Sequence, residues 1–396
     1  MPKITLLLDL DDTLLDTNMD AFVPAYSQAL AAALAEVVAP EVMLPALMGG
    51  TRDMMTNTDP ALTLREVFDA HFFPKIGADR AVLQERIDHF YDDVFPSLQH
   101  VTRPRPQAVE FVEWAFASGY RVVVASNPFF PLKAVEHRLR WAGLPPEKYP
   151  FALVSSYETF HFTKENQAYF PEVFAQLGWP AGPVVMVGND LNMDLLPARA
   201  AGFPVFWMRD GKDETHSEIP QGSFDELRGW IETVDPQSIQ PILKTPESLR
   251  AALRATPAAL GTLTASLAPA AWGERPAMRE WCLTEILCHW RDVEREVNLP
   301  RLRTMLAEEN PFLPGVVSDA WVEERQYARQ DGRLALADFV AARKEMLALL
   351  DGLQAEWSRP ARHAIFGPTT LQEQVEFIAG HDQAHLQQVW KTIRGG

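Results

Sequence analysis

Leu6-Leu7-Leu8-Asp9-Leu10-Asp11-Asp12-Thr13-Leu14 ends an apolar run of strand length abruptly in three carboxylates. A short run without polar alternation suits a strand covered on both faces, as in a parallel sheet between helices. Similar runs follow at 121–125, 151–154, 184–187 and 204–208, with helical patterns between them as far as residue 235. That alternation predicts an α/β domain with a Rossmann-like parallel sheet. Asp9 and Asp11 are two residues apart, so on extended backbone their side chains point to the same side. Open α/β sheets keep their chemistry at the carboxyl ends of such strands, and two adjacent carboxylates there can attack, move a proton or share a hard cation. The plainer alternative is an acidic turn that caps the next helix.

The interval 17–99 reads as mostly helical and predicts a cap inserted above a core formed by 1–16 and 100–235. Prolines at 236, 241 and 246 mark 236–246 as a stiff linker. Thr245-Pro246-Glu247 then opens a new domain, with a capping residue followed by proline at the first helical position. From 247 to 396 there is no strand pattern. Four amphipathic stretches, near 246–267, 277–308, 334–357 and 370–393, predict an all-α four-helix bundle.

Bulk properties narrow the partners. A net charge of −17 argues against nucleic acid and requires local cations to hold any anionic substrate. Two cysteines, Cys282 and Cys288, exclude a disulfide framework and point to a reducing compartment. No apolar run approaches the ~20 residues that span a bilayer, and 4–8 is too short for a signal peptide. The chain reads as cytoplasmic, without a membrane partner.

Three more motifs follow Asp9 in order. Val122-Val123-Val124-Ala125-Ser126-Asn127 ends a strand in groups suited to phosphate oxygens. Lys164, in Phe162-Thr163-Lys164-Glu165-Asn166, is a fixed cation before a helix. Val184-Val185-Met186-Val187-Gly188-Asn189-Asp190, with Asp194, ends a strand in carboxylates one helical turn apart. The set resembles the haloacid dehalogenase-like hydrolase superfamily over about residues 1–235. The resemblance implies Asp9 as the nucleophile that becomes an aspartyl-phosphate, and Asp11 as general acid/base. Ser126 and the backbone N–H of Asn127 would hold phosphate, and Lys164 would shield the transferring group. Mg²⁺ would bind to Asp9, the Asp11 carbonyl and Asp190, with Asp194 acting nearby through water. Dehalogenases of this superfamily lack the acid at position 11, because halide leaves unprotonated. Asp11 therefore favours hydrolysis of a phosphoester of a small phosphorylated metabolite, and phosphomutase chemistry uses the same acids. Two departures concern Glu165, where Lys-Pro is common, and Asn189, where Asp is frequent. The insertion resembles the helical cap found between the first two motifs, with Met19, Tyr26, Gly49-Gly50-Thr51-Arg52 and Phe72-Phe73 as candidates to face the cleft.

His381 and His385 lie at i and i+4 on one helix face, where they could share a metal. With His289 and the predicted bundle, they resemble the DinB-like superfamily over about 247–396. That family holds a divalent metal on three histidines, here implied to be Zn²⁺, Ni²⁺ or Fe²⁺ on His289, His381 and His385. Asp292 and Asp382 are second-shell candidates. Cys282 and Cys288 read as core residues, and His363 as a loop residue. The bundle's role is open between an appended metal-binding module, a metal-dependent thiol transferase, and a dimerisation or sensing module that makes a homodimer.

Overall fold

The computed structural model describes residues 4–394 and divides into two compact units. The first holds the chain up to 58, with 62–169 and 181–241; the second holds 59–61, 170–180 and 242 onward. No helix among the described residues is long and apolar enough to cross a membrane.

The first unit carries eight strands: β1 (Thr5–Leu8), β2 (Leu15–Thr17), β3 (Thr102–Pro104), β4 (Arg121–Val124), β5 (Leu153–Val154), β6 (Val184–Gly188), β7 (Val205–Met208) and β8 (Gln221–Gly222). Six form one parallel sheet in the order β5-β4-β1-β6-β7-β8. β1 is central and wholly buried, which is why its sequence is apolar without alternation. Leu8 lies opposite Val124 on one side and Val187 on the other. All three strands therefore end at one edge, where Asp9, Ser126 and Asn189 follow. The apolar runs sit where expected, with ends shifted by one or two residues.

β2 and β3 pair antiparallel and were not expected, since three residues are too few to show a period. They form a flap beyond β1. The tight turn leading into it has Leu14 and Leu15 both donating to the Leu10 carbonyl at 2.9 Å and Asp12 at φ +55°. Its helices are α1 (Met19–Leu34), α2 (Pro40–Thr56), α3 (Leu64–Ile76), α4 (Arg80–His89), α5 (Pro106–Ala117) and α6 (Leu132–Trp141), then α8 (Leu196–Ala200) and α9 (Phe224–Thr233); α7 (Tyr169–Gln176) has only its first residue here and otherwise belongs to the second unit. The first four make the expected cap, with starts set by local chemistry. Asn18 caps α1, Asp79 caps α4, and Thr63 with Glu66 closes a capping box on α3.

The expected linker begins inside this unit. Ile239 is 3% exposed within the first core, and its carbonyl accepts from Val184 N–H at 2.9 Å. The second unit begins at Ile242.

The second unit contains α10 (Pro246–Ala265), α11 (Leu283–Val293), α12 (Leu299–Ala307), α13 (Trp321–Glu324), α14 (Gly332–Asp351) and α15 (Leu371–Arg394). α10 and α11 each pack on both α14 and α15, which makes a four-helix bundle. α11 runs into α12 through a π turn at Glu294–Asn298. Residues 277–282, expected as helix, are not helical, and α14 stops at Asp351 before a short 3₁₀ turn. The expectation of no strands fails. β9 (Phe312–Leu313), β10 (Pro360–His363) and β11 (Gly367–Thr370) form a small sheet, each strand too short to carry a pattern. His363, read as a loop residue, lies on β10 and is buried.

Candidate functional site

The end of the parallel sheet gathers most of the first set of candidates. Asp9 follows β1, and its backbone N–H donates to the Val187 carbonyl at 2.9 Å, tying the first and fourth motifs together. Lys164 is 1% exposed and donates from Nζ to Asp9 Oδ1 and to Asp194 Oδ1, each at 2.6 Å. One ammonium thus bridges two buried carboxylates from opposite ends of the motif series. Burial, and then the Asp194 charge, push the Asp9 carboxyl up to about 7 despite Lys164. Burial alone would lower the Lys164 ammonium, but Asp194 and Asp9 outweigh it and hold the pKa above its ordinary value.

Asp194, expected near the Mg²⁺ site, has direct protein partners. It is 2% exposed and bonds Lys164 directly, while its Oδ2 accepts from the Asp190 N–H at 3.1 Å. Gly188 makes room for it, because a Cβ there would fall 2.2 Å from Asp194 Oδ2. Asp190 is exposed, and its Oδ1 caps the turn that follows by accepting from Asn192 and Met193 N–H. Asn189, the noted departure from Asp, accepts from the Thr13 hydroxyl at 3.1 Å and so links the first motif to the fourth without adding charge.

The phosphate-holding candidates lie on the same edge. Ser126 is buried, and its carbonyl accepts from Tyr169 Oη at 2.9 Å. The Asn127 amide joins two motifs: its Oδ1 accepts from Lys164 N–H at 3.2 Å, and its Nδ2 donates to Glu165 Oε2 at 3.3 Å. Glu165 therefore takes over part of the stiffening that a proline would give. The loop is also tied to the cap, since Phe160 and Tyr157 carbonyls accept from Leu64 and Arg65 at 2.7 and 2.8 Å.

Asp11 has a partner that sequence reading did not anticipate. Arg138 on α6 is buried and forms an ion pair with Asp11 Oδ1. Its guanidinium lies against the rings of Phe22 and Phe130, 5.4 and 5.3 Å from their centroids. The only signal in the chain was an arginine on the helix after the second motif.

Of the cleft candidates, Met19, Tyr26, Thr51, Phe72 and Phe73 line one largely apolar cavity of about 280 Å³ together with Phe129 and Phe130. Gly49 and Gly50 instead allow close helix packing, because a Cβ on them would meet His71 and Phe68 at 2.2 and 2.7 Å.

An oxygen-only donor set with more carboxylates than cations fits a hard divalent ion better than a soft one. Among the described residues no three carboxylates of this unit bring ligand atoms together. Among the described residues the one such trio is His289, His381 and His385 in the bundle, whose ligand atoms lie within 4.8 Å of one another. His381 Nε2 lies 3.3 Å from His289 Nε2 and 3.1 Å from His385 Nε2. Three nitrogens about 2.1 Å from a shared ion would sit at close to that spacing. Burial, with His385 nearby, lowers His289 to about 4 and His381 to about 3, and burial lowers His385 as well. Neutral imidazole is the form that binds a metal, so the trio fits one.

Neither acid expected to orient the histidines bonds to one. Asp292 accepts from Arg291, Arg325 and Tyr327. Asp382 accepts from Arg343 at 2.5 and 3.0 Å and from Trp290 Nε1 at 2.8 Å. The contact that orients a ligand comes instead from Gln388, whose Oε1 lies 2.8 Å from His385 Nδ1. Both cysteines are free and buried, and neither belongs to the trio.

A parallel sheet whose strand ends carry this Asp–Lys–Asp chain is an α/β enzyme fold with its polar groups gathered at the carboxyl ends of the strands. Residues 5–202, half of the chain, match the model of the haloacid dehalogenase-like hydrolases, and the chain belongs to that family. Residues 252–389 match the DinB superfamily. Among solved structures the chain is similar to a 2-haloacid dehalogenase from Pseudomonas syringae pv. tomato DC3000, at 24% identity over 59% of this chain and 99% of that one, TM-score 0.42. It is also similar to a haloacid dehalogenase-like phosphatase from Thermococcus onnurineus, at 17% identity over 60% and 100%, TM-score 0.38. YfiT from Bacillus subtilis, a four-helix bundle, is 17% identical over 49% of this chain and 96% of that one, TM-score 0.33. No curated protein matches the chain.

Proposed function

We propose that the first unit is a phosphatase of a small phosphorylated metabolite, working through an aspartyl-phosphate on Asp9. The observation that carries this reading is the buried bridge Asp9–Lys164–Asp194, with Asp11 one pleat from Asp9 and held by Arg138. Lys164 occupies Asp9 Oδ1 and opposes the burial that disfavours the charged form, so attack on phosphorus by the ionised carboxylate falls to Oδ2. The bond from phosphorus to the ester oxygen breaks as the Asp9–phosphorus bond forms, and Asp11 gives its proton to the departing oxygen. Asp11 then takes a proton from water, which attacks phosphorus and releases Asp9 and inorganic phosphate. Ser126 and the Asn127 N–H hold phosphoryl oxygens, and Lys164 offsets their charge. Asp9, Asp190 and the Asp11 carbonyl would hold Mg²⁺, which when bound supplies further positive charge beside the phosphoryl oxygens. Halide would need no proton, so a carboxyl at position 11 supports phosphoester hydrolysis over dehalogenation. The test is a panel of phosphorylated metabolites with Mg²⁺. Release of phosphate by wild type and none by Asp9→Asn is expected, while equal turnover by both would refute the nucleophile.

We also infer that the second unit holds a divalent transition metal on His289, His381 and His385. The support is the convergence of three neutral Nε2 atoms. Metal analysis after dialysis tests it, with about one ion per chain expected and none in His385→Ala.

A further inference from the structure

His381 also lines a cavity of about 170 Å³ in the second unit, open between α11, α12, α15 and the loop before α13. Arg301 lines the same cavity, half-buried on α12. Several arginines of this unit pair with carboxylates, Arg343 with Glu294 and Asp382, Arg291 with Asp292, and Arg254 with Asp351, while the half-buried Arg359 is met by the Met305 and Glu308 carbonyls. Among the described residues Arg301 forms no ion pair, and its one hydrogen bond there goes from Nη2 to the Pro314 carbonyl at 2.6 Å. Burial lowers its pKa, with no acid nearby to offset the cost. Taking a guanidinium out of water without a counter-ion is unfavourable unless a ligand completes it.

The rest of the lining tells what else the ligand carries. Val293, Val297, Leu302 and Ile378 make one part of the wall apolar, while Asn298, Ser318 and Gln374 add polar groups. At the cavity Phe377 stacks on Phe366 with ring centroids 4.4 Å apart, and Phe366 stacks on His363 at 4.7 Å. Both phenylalanines are about half exposed, so apolar surface is kept at the rim where water would otherwise disfavour it. A cavity with one cation, a partly apolar wall, a few polar groups and a metal-competent histidine suits a small organic anion.

We propose that this pocket binds a small carboxylic acid with an apolar chain, its carboxylate on Arg301 and its body between Arg301 and the histidine trio. Arg301 presents a planar fork of donors, which matches a carboxylate better than a single charge would. The proposal uses the metal reading only to describe the far end of the pocket, and it stands on Arg301 and the cavity. Full-length protein loaded with Zn²⁺ would be titrated calorimetrically with hexanoate and with the neutral, near-isosteric hexanamide, and bound zinc measured on the same samples. Hexanoate should bind about tenfold or more tighter than hexanamide, and Arg301→Met should lose that margin while retaining zinc. Hexanoate binding with zinc absent would sink the metal reading alone. No preference for hexanoate, or unchanged hexanoate binding in Arg301→Met, would overturn the proposal, the second because the carboxylate would then sit elsewhere, the metal included. Should Arg301→Met fail to fold, Arg301→Lys replaces it: weaker hexanoate binding with zinc retained is expected, and unchanged binding would overturn the proposal.

Discussion

Arg138 and Asp11 form an ion pair in which the cation is buried while the carboxylate is one-quarter exposed. The arginine cannot follow a moving partner, because Phe22 and Phe130 hold its guanidinium. Asp11 is therefore anchored through Oδ1, with Oδ2 left for the leaving oxygen. This makes Arg138 a positioning residue for the proposed acid/base. Arg138→Met should lower kcat by roughly tenfold or more, within the range that general acid–base catalysis supplies, with a smaller change in KM. Steady-state kinetics on an aryl phosphate would check it, and an unchanged kcat would remove Arg138 from the mechanism.

Asp9→Asn should abolish turnover while leaving a folded protein. Asp9 and Asp194 share Lys164, and the Asp194 and Asp11 charges both disfavour an ionised Asp9, so removing one negative charge relieves repulsion. The expected result is a melting temperature in EDTA equal to or above that of wild type, since sites built for chemistry are often locally unfavourable. A large drop in melting temperature would mean that Asp9 has a structural role.

His385→Ala should lose the bundle metal yet leave aryl phosphate hydrolysis nearly unchanged, because the proposed Mg²⁺ donors are Asp9, Asp11 and Asp190. Metal content and phosphatase rate measured on one preparation test both halves of the statement. Gln388→Ala should weaken metal retention roughly 10- to 100-fold by freeing the His385 ring.

Asp382→Ala should destabilise the bundle by about 3–5 kcal/mol, because it leaves the Arg343 guanidinium, which is fully buried, short of a counter-ion. Chemical denaturation followed by tryptophan fluorescence reads this, Trp290 being bonded to Asp382. A change under about 1 kcal/mol would show that Glu294 alone satisfies the arginine.

Ile239→Ala tests the first half of the expected linker. A tether would tolerate the change, whereas a buried isoleucine truncated to alanine costs about 2–5 kcal/mol. The 3% exposure of Ile239 favours the second result, and thermal melts of the full chain would decide.

Local pattern was enough for the strands that end in chemistry and for the long helices. β1 is apolar because both of its faces are covered, and α15 shows its buried stripe at helical spacing, so each could be read without knowing its neighbours. The order Asp9, Ser126, Lys164, Asp194 was legible for the same reason, since every motif closes a strand or precedes a helix. Elements of two to four residues, β2, β3, β8 and β9–β11, were invisible because backbone pairing to a distant segment makes them, not any period of their own. The partners chosen by packing were also invisible. Nothing near Arg138 in the chain says that it meets Asp11, 127 positions away. Gln388 and Asp382 could both have served the histidines, and only the rotation of α15 against α14 gives Asp382 to Arg343 and Gln388 to His385. Residue type and spacing declare which groups can do chemistry. Which group touches which is decided by three-dimensional close packing, where one helical turn moves a side chain from a ligand to a core ion pair.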